Sequence, residues 1–309
     1  MARLRIGLIG WGTVGSALGR LVAAGPLPLE LALVAVRDRT RERGVGLPAG
    51  ATIVEPAEVA GAELDAVVEL AGGLEGPRSW AQQALGRGTP YVTANKALLA
   101  THGDELARVA RTNGAALLGS ASVGGGVPMI ETVSHLAATG AISRVRGVLN
   151  ATTTSILSAM GGGRTYGDAL REAQEAGYAE ADPSFDVDGH DAAQKLAILA
   201  GVAWGAFRRE SEVDLGGIRG FEVREGQIVR LVADATEDKL RVAPLELEPN
   251  SAMGRTAGIE CVLEIDVRAA GAFTVSGPGA GGRVTAGAVY ADLARLVAGE
   301  RPILFGGAA

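Results

Sequence analysis

The 309-residue chain contains a single cysteine, Cys261, so no disulfide can close within it, and a reducing compartment suits it. A thiohemiacetal mechanism would have only that thiol as nucleophile, and Cys261 lies in an alternating apolar stretch of the kind that forms a core strand. Histidine is nearly as scarce: His102, His135 and His190 form no HExxH pair and no Cys/His cluster, which argues against a zinc centre. No G-x-S-x-G elbow is present. No apolar run reaches the length of a membrane span, and the N-terminus enters a strand pattern directly, without the apolar region of a secretory leader. A cytoplasmic protein is expected. The net charge of −6 comes without any basic block or stripe, which excludes nucleic acid and anionic membrane as expected partners.

Lysine is the other shortage. Of 29 basic side chains only Lys96, Lys195 and Lys239 are lysines. Arginine serves wherever charge alone is needed, but it stays protonated at any ordinary pH. A lysine kept in such a chain points to a need for a compact amine that can lose its proton.

What is present is an ordinary globular balance, 47% hydrophobic and 21% charged, in a chain long enough for two modest domains. Apolar runs at Leu4–Ile9, Leu31–Val36, Asp65–Leu70, Pro90–Ala94 and Ala115–Leu118 alternate with helical patterns at Thr13–Ala24, Ser79–Leu85 and Gly103–Arg111. That alternation predicts a parallel sheet covered on both faces. Beyond Pro128 the pattern changes. Strands are predicted at Val145–Leu149, Leu240–Leu247 and Ile259–Val267, and helices at Thr165–Ala176, His190–Ala200 and Thr285–Val297. The fold class is therefore α/β: a Rossmann-type dinucleotide-binding domain over 1–130, completed by 277–309, with an inserted α+β domain over 131–276.

Gly10-Trp11-Gly12-Thr13-Val14-Gly15 fits G-x-G-x-x-G and stands between a predicted strand and a predicted helix, the context that motif requires. Gly10 permits the turn, Gly12 admits a pyrophosphate, Gly15 lets helix meet strand, and the helix start at Thr13 and Val14 offers N–H groups to phosphate. A glycine turn without a ligand is the competing reading. After the second strand come Arg37, Asp38 and Arg39; Arg37 suits the 2′-phosphate of NADP, whereas Asp38 could serve the ribose of NAD. NADP is the preferred expectation. Thr93-Ala94-Asn95-Lys96 closes a predicted strand on the ligand-binding edge of such a sheet, within reach of cofactor or substrate. Asp191 and Lys195 stand four apart on one predicted helix face and could form a proton-transfer pair, or an ordinary exposed salt bridge. The carboxylates of Asp182, Asp186, Asp188 and Asp191 lack the spacing of an EF-hand.

As a set these residues resemble the homoserine dehydrogenases over nearly the whole chain. The resemblance is carried by 10–15, 68–73, 92–100, 121–128, 277–281, Thr285-Ala286 and, most specifically, 177–200. It implies an NAD(P)-dependent oxidoreductase that interconverts L-aspartate 4-semialdehyde and L-homoserine, a step toward threonine and methionine. Lys195 would be the catalytic acid/base and Asp191 its supporting acid, Glu180 and Thr152 would hold the substrate, and Lys96 would lie between cofactor and substrate. Gly281 would approach the cofactor, and the carbonyls of Val123, Gly125 and Val127 would bind a monovalent cation such as sodium. A homodimer built through the second domain is implied. Four positions depart from the family pattern: Ala151 replaces a glycine, Thr154 an asparagine and Ser120 a glutamate, and Arg230 stands where lysine is usual. The chain also ends soon after the Thr285 helix, without the regulatory extension of longer members, so feedback control through such a domain is not expected. Another amino-acid dehydrogenase of similar build, or a non-catalytic NADP-binding sensor, are the alternative readings.

Overall fold

The computed structural model describes residues 3–36, 46, 50–268 and 270–305. The elements begin with β1 (Leu4–Ile9), α1 (Thr13–Ala24), β2 (Leu29–Ala35), β3 (Thr52–Val54), α2 (Pro56–Gly61) and β4 (Ala66–Glu69). They continue with α3 (Glu75–Gly86), β5 (Tyr91–Thr93), α4 (Lys96–Asn113), β6 (Leu117–Leu118), α5 (Met129–Ala137), β7 (Ile142–Val148), α6 (Ala151–Gly161) and α7 (Tyr166–Glu175). The last are α8 (Ser184–Val187), α9 (His190–Trp204), β8 (Val213–Leu215), β9 (Val229–Ala235), β10 (Leu240–Glu246), β11 (Glu260–Val267), β12 (Gly271–Pro278) and α10 (Gly282–Val297). Two compact units result: one runs to Gly126 and resumes at Gly281, and the other is Val127–Ala280.

The first unit is an all-parallel six-stranded sheet in the order β3-β2-β1-β4-β5-β6. Strands buried on both faces read as nearly continuous apolar runs, and β4, Ala-Val-Val-Glu, is buried throughout with one polar residue, Glu69, at its end. Ile6, Leu8, Val34, Val68 and Val92 of the sheet pack with Leu18 of α1 and with Ala286, Val289 and Leu293 of α10 in one core. Each of the Ile, Leu and Val side chains, fully buried, stabilises the fold by roughly 1.5–3 kcal/mol. The α10 helix thus belongs to the dinucleotide-type sheet although it closes the chain. α4 starts at Lys96, seven residues before the predicted start, because the Asn95 side chain accepts the Leu98 N–H and caps it there.

The second unit is a mixed six-stranded sheet, β12-β11-β7-β9-β10-β8, antiparallel except for the β10–β8 pair. α5, α6 and α9 pack on it. Thr165 caps α7 through the Asp168 N–H, as its sequence predicts. Four elements here have no clear sequence signature. β9 is buried at six of its seven positions and so shows no alternation. β12 is an edge strand that starts at Gly271 and ends at Pro278. α5 starts after Pro128 with no side-chain cap. α6 opens on the β-branched run Thr152–Thr154, weak helix formers whose helix is started by Asn150, the side chain of which accepts the Thr153 N–H.

Candidate functional site

At the carboxyl edge of the first unit's sheet the strand order reverses between β1 and β4, the crevice where doubly wound sheets bind their ligands. Gly10 leaves β1 with φ +105°, and a Cβ there would fall 2.8 Å from the Leu70 backbone, so only glycine permits both the turn and the contact. A Cβ on Gly15 would lie 2.1 Å from the Gly10 carbonyl oxygen, which is how α1 comes so close to the turn. Gly12 is different: nothing lies within 4 Å of a Cβ built on it. It is the N-cap of α1, which has no side-chain cap and no acidic residue in its first turn. Thr13 is exposed and Val14 half-buried at that helix start.

The N-terminus of α10 abuts the same place. A Cβ on Gly282 would meet Thr13 Cγ2 at 2.5 Å, and Gly281, the N-cap of α10, likewise leaves its helix without a side-chain cap or an early acid. Two uncapped helix starts therefore bring N–H groups and partial positive charge together over an open space beside Gly12. That is the donor set a pyrophosphate needs, and the cradle fits a dinucleotide. Arg37, with Asp38 and Arg39, lies outside the described residues.

The neighbouring loops are tied by one carboxylate that the sequence reading passed over. Glu69 is completely buried; its Oε1 accepts the N–H groups of Ala71 (2.7 Å) and Gly72 (2.8 Å), and its Oε2 accepts the Thr93 hydroxyl (2.7 Å). Thr93 Oγ1 in turn accepts the Asn95 N–H, so its hydroxyl is used inside the protein. Asn95 Nδ2 donates to the Gly73 carbonyl at 2.7 Å. Lys96 is the half-buried first residue of α4. Farther along, Val123 is buried and Gly125 follows it, whereas Val127 opens the second unit. Ser120 donates its N–H and its hydroxyl to the two carboxylate oxygens of the buried Asp292 on α10, at 3.1 and 2.5 Å. Among the described residues no three His, Cys, Asp or Glu side chains are grouped to hold a metal ion.

In the second unit, Asp191 and Lys195 are a buried pair and not an exposed salt bridge. Their side chains are 9% and 15% exposed, and Lys195 Nζ donates to Asp191 Oδ2 at 2.8 Å and to the Leu149 carbonyl at 2.7 Å. Burial by itself would push the Lys195 ammonium down. The charge of Asp191, then Cys261, the Asp191 hydrogen bond and the charge of Asp186 outweigh it, and the net direction is upward. Cys261 is buried, and burial raises its thiol more than Lys195 lowers it.

Asn150 joins this pair to the acidic segment. Its Nδ2 donates to Asp191 Oδ2 at 2.8 Å and to Asp186 Oδ1 at 2.7 Å. Thr152 Oγ1 lies 2.6 Å from the Tyr178 carbonyl and 3.0 Å from Asp186 Oδ2, sharing its one proton between them. It therefore offers a ligand lone pairs only. Arg219 donates to Asp188 and to Ser184 Oγ, holding α8 and with it Asp186. Glu180 is exposed on the loop before α8, where its carbonyl accepts from Gln174. Ala151 is the first residue of α6, outside the positive-φ region, and the Thr154 hydroxyl donates to the Asn150 carbonyl at 2.8 Å. The two departures from the usual motif thus leave the helix start intact. Asn150 and Asp186 carry no assignment from sequence reasoning; the Asn-x-x-Thr spacing of a helix cap was the available signal for the first.

A doubly wound sheet with a glycine-turn cradle, joined in one chain to a unit holding a buried lysine–aspartate pair, defines a dinucleotide-dependent oxidoreductase class. Residues 10–119 match the family model described as homoserine dehydrogenase, NAD binding domain, and residues 128–294 match the one described as homoserine dehydrogenase. The homoserine dehydrogenase of Synechocystis sp. is 36% identical over 95% of this chain and 73% of its own length. The crystal structure of a homoserine dehydrogenase from Thiobacillus denitrificans matches with a TM-score of 0.88 at 32% identity, covering 96% of this chain and 74% of that one. A hyperthermophilic archaeal homoserine dehydrogenase in complex with NADPH matches with a TM-score of 0.86 at 29% identity, covering 97% and 99%. This chain belongs to the homoserine dehydrogenase family of NAD(P)-dependent oxidoreductases.

Proposed function

We propose that the chain interconverts L-aspartate 4-semialdehyde and L-homoserine, with Lys195 moving the proton at the substrate oxygen. The observation that carries this reading is the bonding of Lys195. Two of its three N–H groups are spent on Asp191 and Leu149, which orient the amine and leave one N–H for a ligand oxygen. A bound nicotinamide supplies or accepts the hydride. Protonated Lys195 gives its proton to the aldehyde oxygen during reduction and, as the free amine, removes the hydroxyl proton during oxidation. Asp191 holds the amine in place.

The cofactor is assigned to Gly10, Gly12, Thr13, Val14, Gly15 and Gly281, with Thr93 and Lys96 on the adjoining edge. NADP is assigned over NAD on the strength of Arg37, two residues after β2 ends. The substrate is assigned to Glu180, Thr152 and Lys96, and Asp186 joins them through its bond with Thr152. A carboxylate suits the substrate ammonium by charge. A monovalent cation on the carbonyls of Val123, Gly125 and Val127, a homodimer built through the second unit, and action in the cytoplasm on the way to threonine and methionine complete the proposal. No described helix is long and apolar enough to cross a membrane.

The test is an assay of homoserine and of aspartate semialdehyde with NADP and with NAD, on wild type and Lys195→Arg. Turnover of both substrates is expected, with a loss of about 10²–10⁴-fold in the arginine variant and cofactor affinity retained. An arginine variant of near-normal rate removes Lys195 from proton transfer.

A further inference from the structure

Glu69 is the last residue of β4 and lies in register with Ile9, the last residue of β1, and with Thr93, the last of β5. It therefore stands at the carboxyl edge beside the crevice where the strand order reverses. The side chain is 0% exposed. Two of its partners, Ala71 N–H and Gly72 N–H, can only donate, and the third, the Thr93 hydroxyl, is free to donate because it accepts from Asn95. A group ringed by donors on both oxygens is solvated as the carboxylate. Its hydrogen bonds among the described residues come from these three neutral donors. Its field reaches its surroundings: burial raises the phenol of Tyr91, and the charge of Glu69 raises it further.

A buried negative charge favours a cation in its neighbourhood, and the low-polarity interior screens it poorly. The nicotinamide ring is cationic when oxidised and neutral when reduced, so a charge near the crevice discriminates between the two forms. We propose that Glu69 is a specificity-determining residue for the cofactor's redox state, making the site favour the oxidised dinucleotide relative to the reduced one. The inference rests on the cofactor site read above. Its consequence for the reaction is directional: the positive charge that hydride loss creates is stabilised on the enzyme, which favours hydride delivery to the aldehyde. At an effective dielectric of about 20, a unit charge about 10 Å away changes such an equilibrium by roughly tenfold.

A purely structural Glu69 would hold the 70–73 loop and affect both forms alike. The two roles separate in Glu69→Gln, where the amide keeps an acceptor for the two backbone N–H groups and loses the charge. Wild type and variant are titrated with NADP⁺, NADPH and 2′-phospho-ADP-ribose, which has no nicotinamide, and dissociation constants are read by fluorescence or calorimetry. Expected is a rise of about tenfold in Kd(NADP⁺)/Kd(NADPH), with the affinity for 2′-phospho-ADP-ribose unchanged. An unchanged ratio overturns the inference alone. Wild-type protein that binds none of the three overturns the cofactor reading and this inference with it. If the single variant fails to fold, Glu69→Gln/Thr93→Ala, which removes the group the new amide would face, is read by the same ratio.

Discussion

Asn150 and Lys195 donate to the same atom, Asp191 Oδ2, each at 2.8 Å, from positions 45 residues apart in the chain. Asp191 is thereby fixed from two sides, and its charge is the strongest influence that keeps the Lys195 ammonium protonated.

That arrangement sets a pH dependence. With its proton held more tightly than usual, Lys195 is the ammonium through neutral pH, the form that the proposed proton transfer uses in reduction. On that proposal oxidation uses the free amine, so kcat/KM for homoserine should rise as the pH climbs into the alkaline range. Asp191→Asn removes the charge and leaves burial, which lowers the lysine. The rising limb should then move to lower pH by about 1–3 pH units. A limb that stays in place, or moves up, would separate Asp191 from the ionisation that controls oxidation.

Gly12 and Gly15 share a motif but not a role. Gly12→Ala introduces a methyl group into open space, so thermal stability should match wild type while the Kd for the dinucleotide rises roughly tenfold to hundredfold, the equivalent of an overpacking cost of about 1–3 kcal/mol. Gly15→Ala drives a Cβ into the Gly10 carbonyl and should lower the melting temperature by itself, without any cofactor present. Thermal scans and binding titrations of both variants check the contrast. Normal cofactor affinity in Gly12→Ala would mean that the open space is not the pyrophosphate cradle.

Glu180 is exposed with no packing duty visible in its side chain, so Glu180→Gln should keep the fold and the affinity for cofactor. If it meets the substrate ammonium, KM for homoserine rises about tenfold or more, with a smaller change in kcat. Steady-state kinetics over a range of homoserine concentrations reads both. Wild-type kcat/KM in this variant would return Glu180 to the solvent.

For Arg37, the expected outcome is selective. Arg37→Ala should weaken NADP binding more than NAD binding, since NADP alone carries the 2′-phosphate with which the guanidinium can pair. Parallel titrations with both cofactors measure it, and equal losses would exclude that contact.

Much of the first unit is legible in the chain. β1 and α1 occupy Leu4–Ile9 and Thr13–Ala24, as the apolar run and the glycine turn indicate. The Thr165 cap and the start of α9 at His190 are equally local signals. Glu69 was not legible as anything but a polar end to an apolar run. Its hydrogen bonds come from Ala71, Gly72 and Thr93, and the last is contributed by a different strand. Asn150 and Asp186 escaped for the same reason, their partnership spanning 36 residues.

What the sequence determined alone is the set of features written within a turn or two of chain: the glycine motif, the helix starts, and the spacing that puts Asp191 and Lys195 on one face. Whether that pair is an exposed salt bridge or a buried, hydrogen-bonded one was decided only by tertiary structure. The spacing is the same in both cases. The difference is burial, together with the Leu149 carbonyl just after β7 and the Asn150 amide at the start of α6, two partners more than 40 residues away in the chain. Desolvation and the choice of hydrogen-bond partner depend on what covers a side chain, and a local pattern cannot carry that.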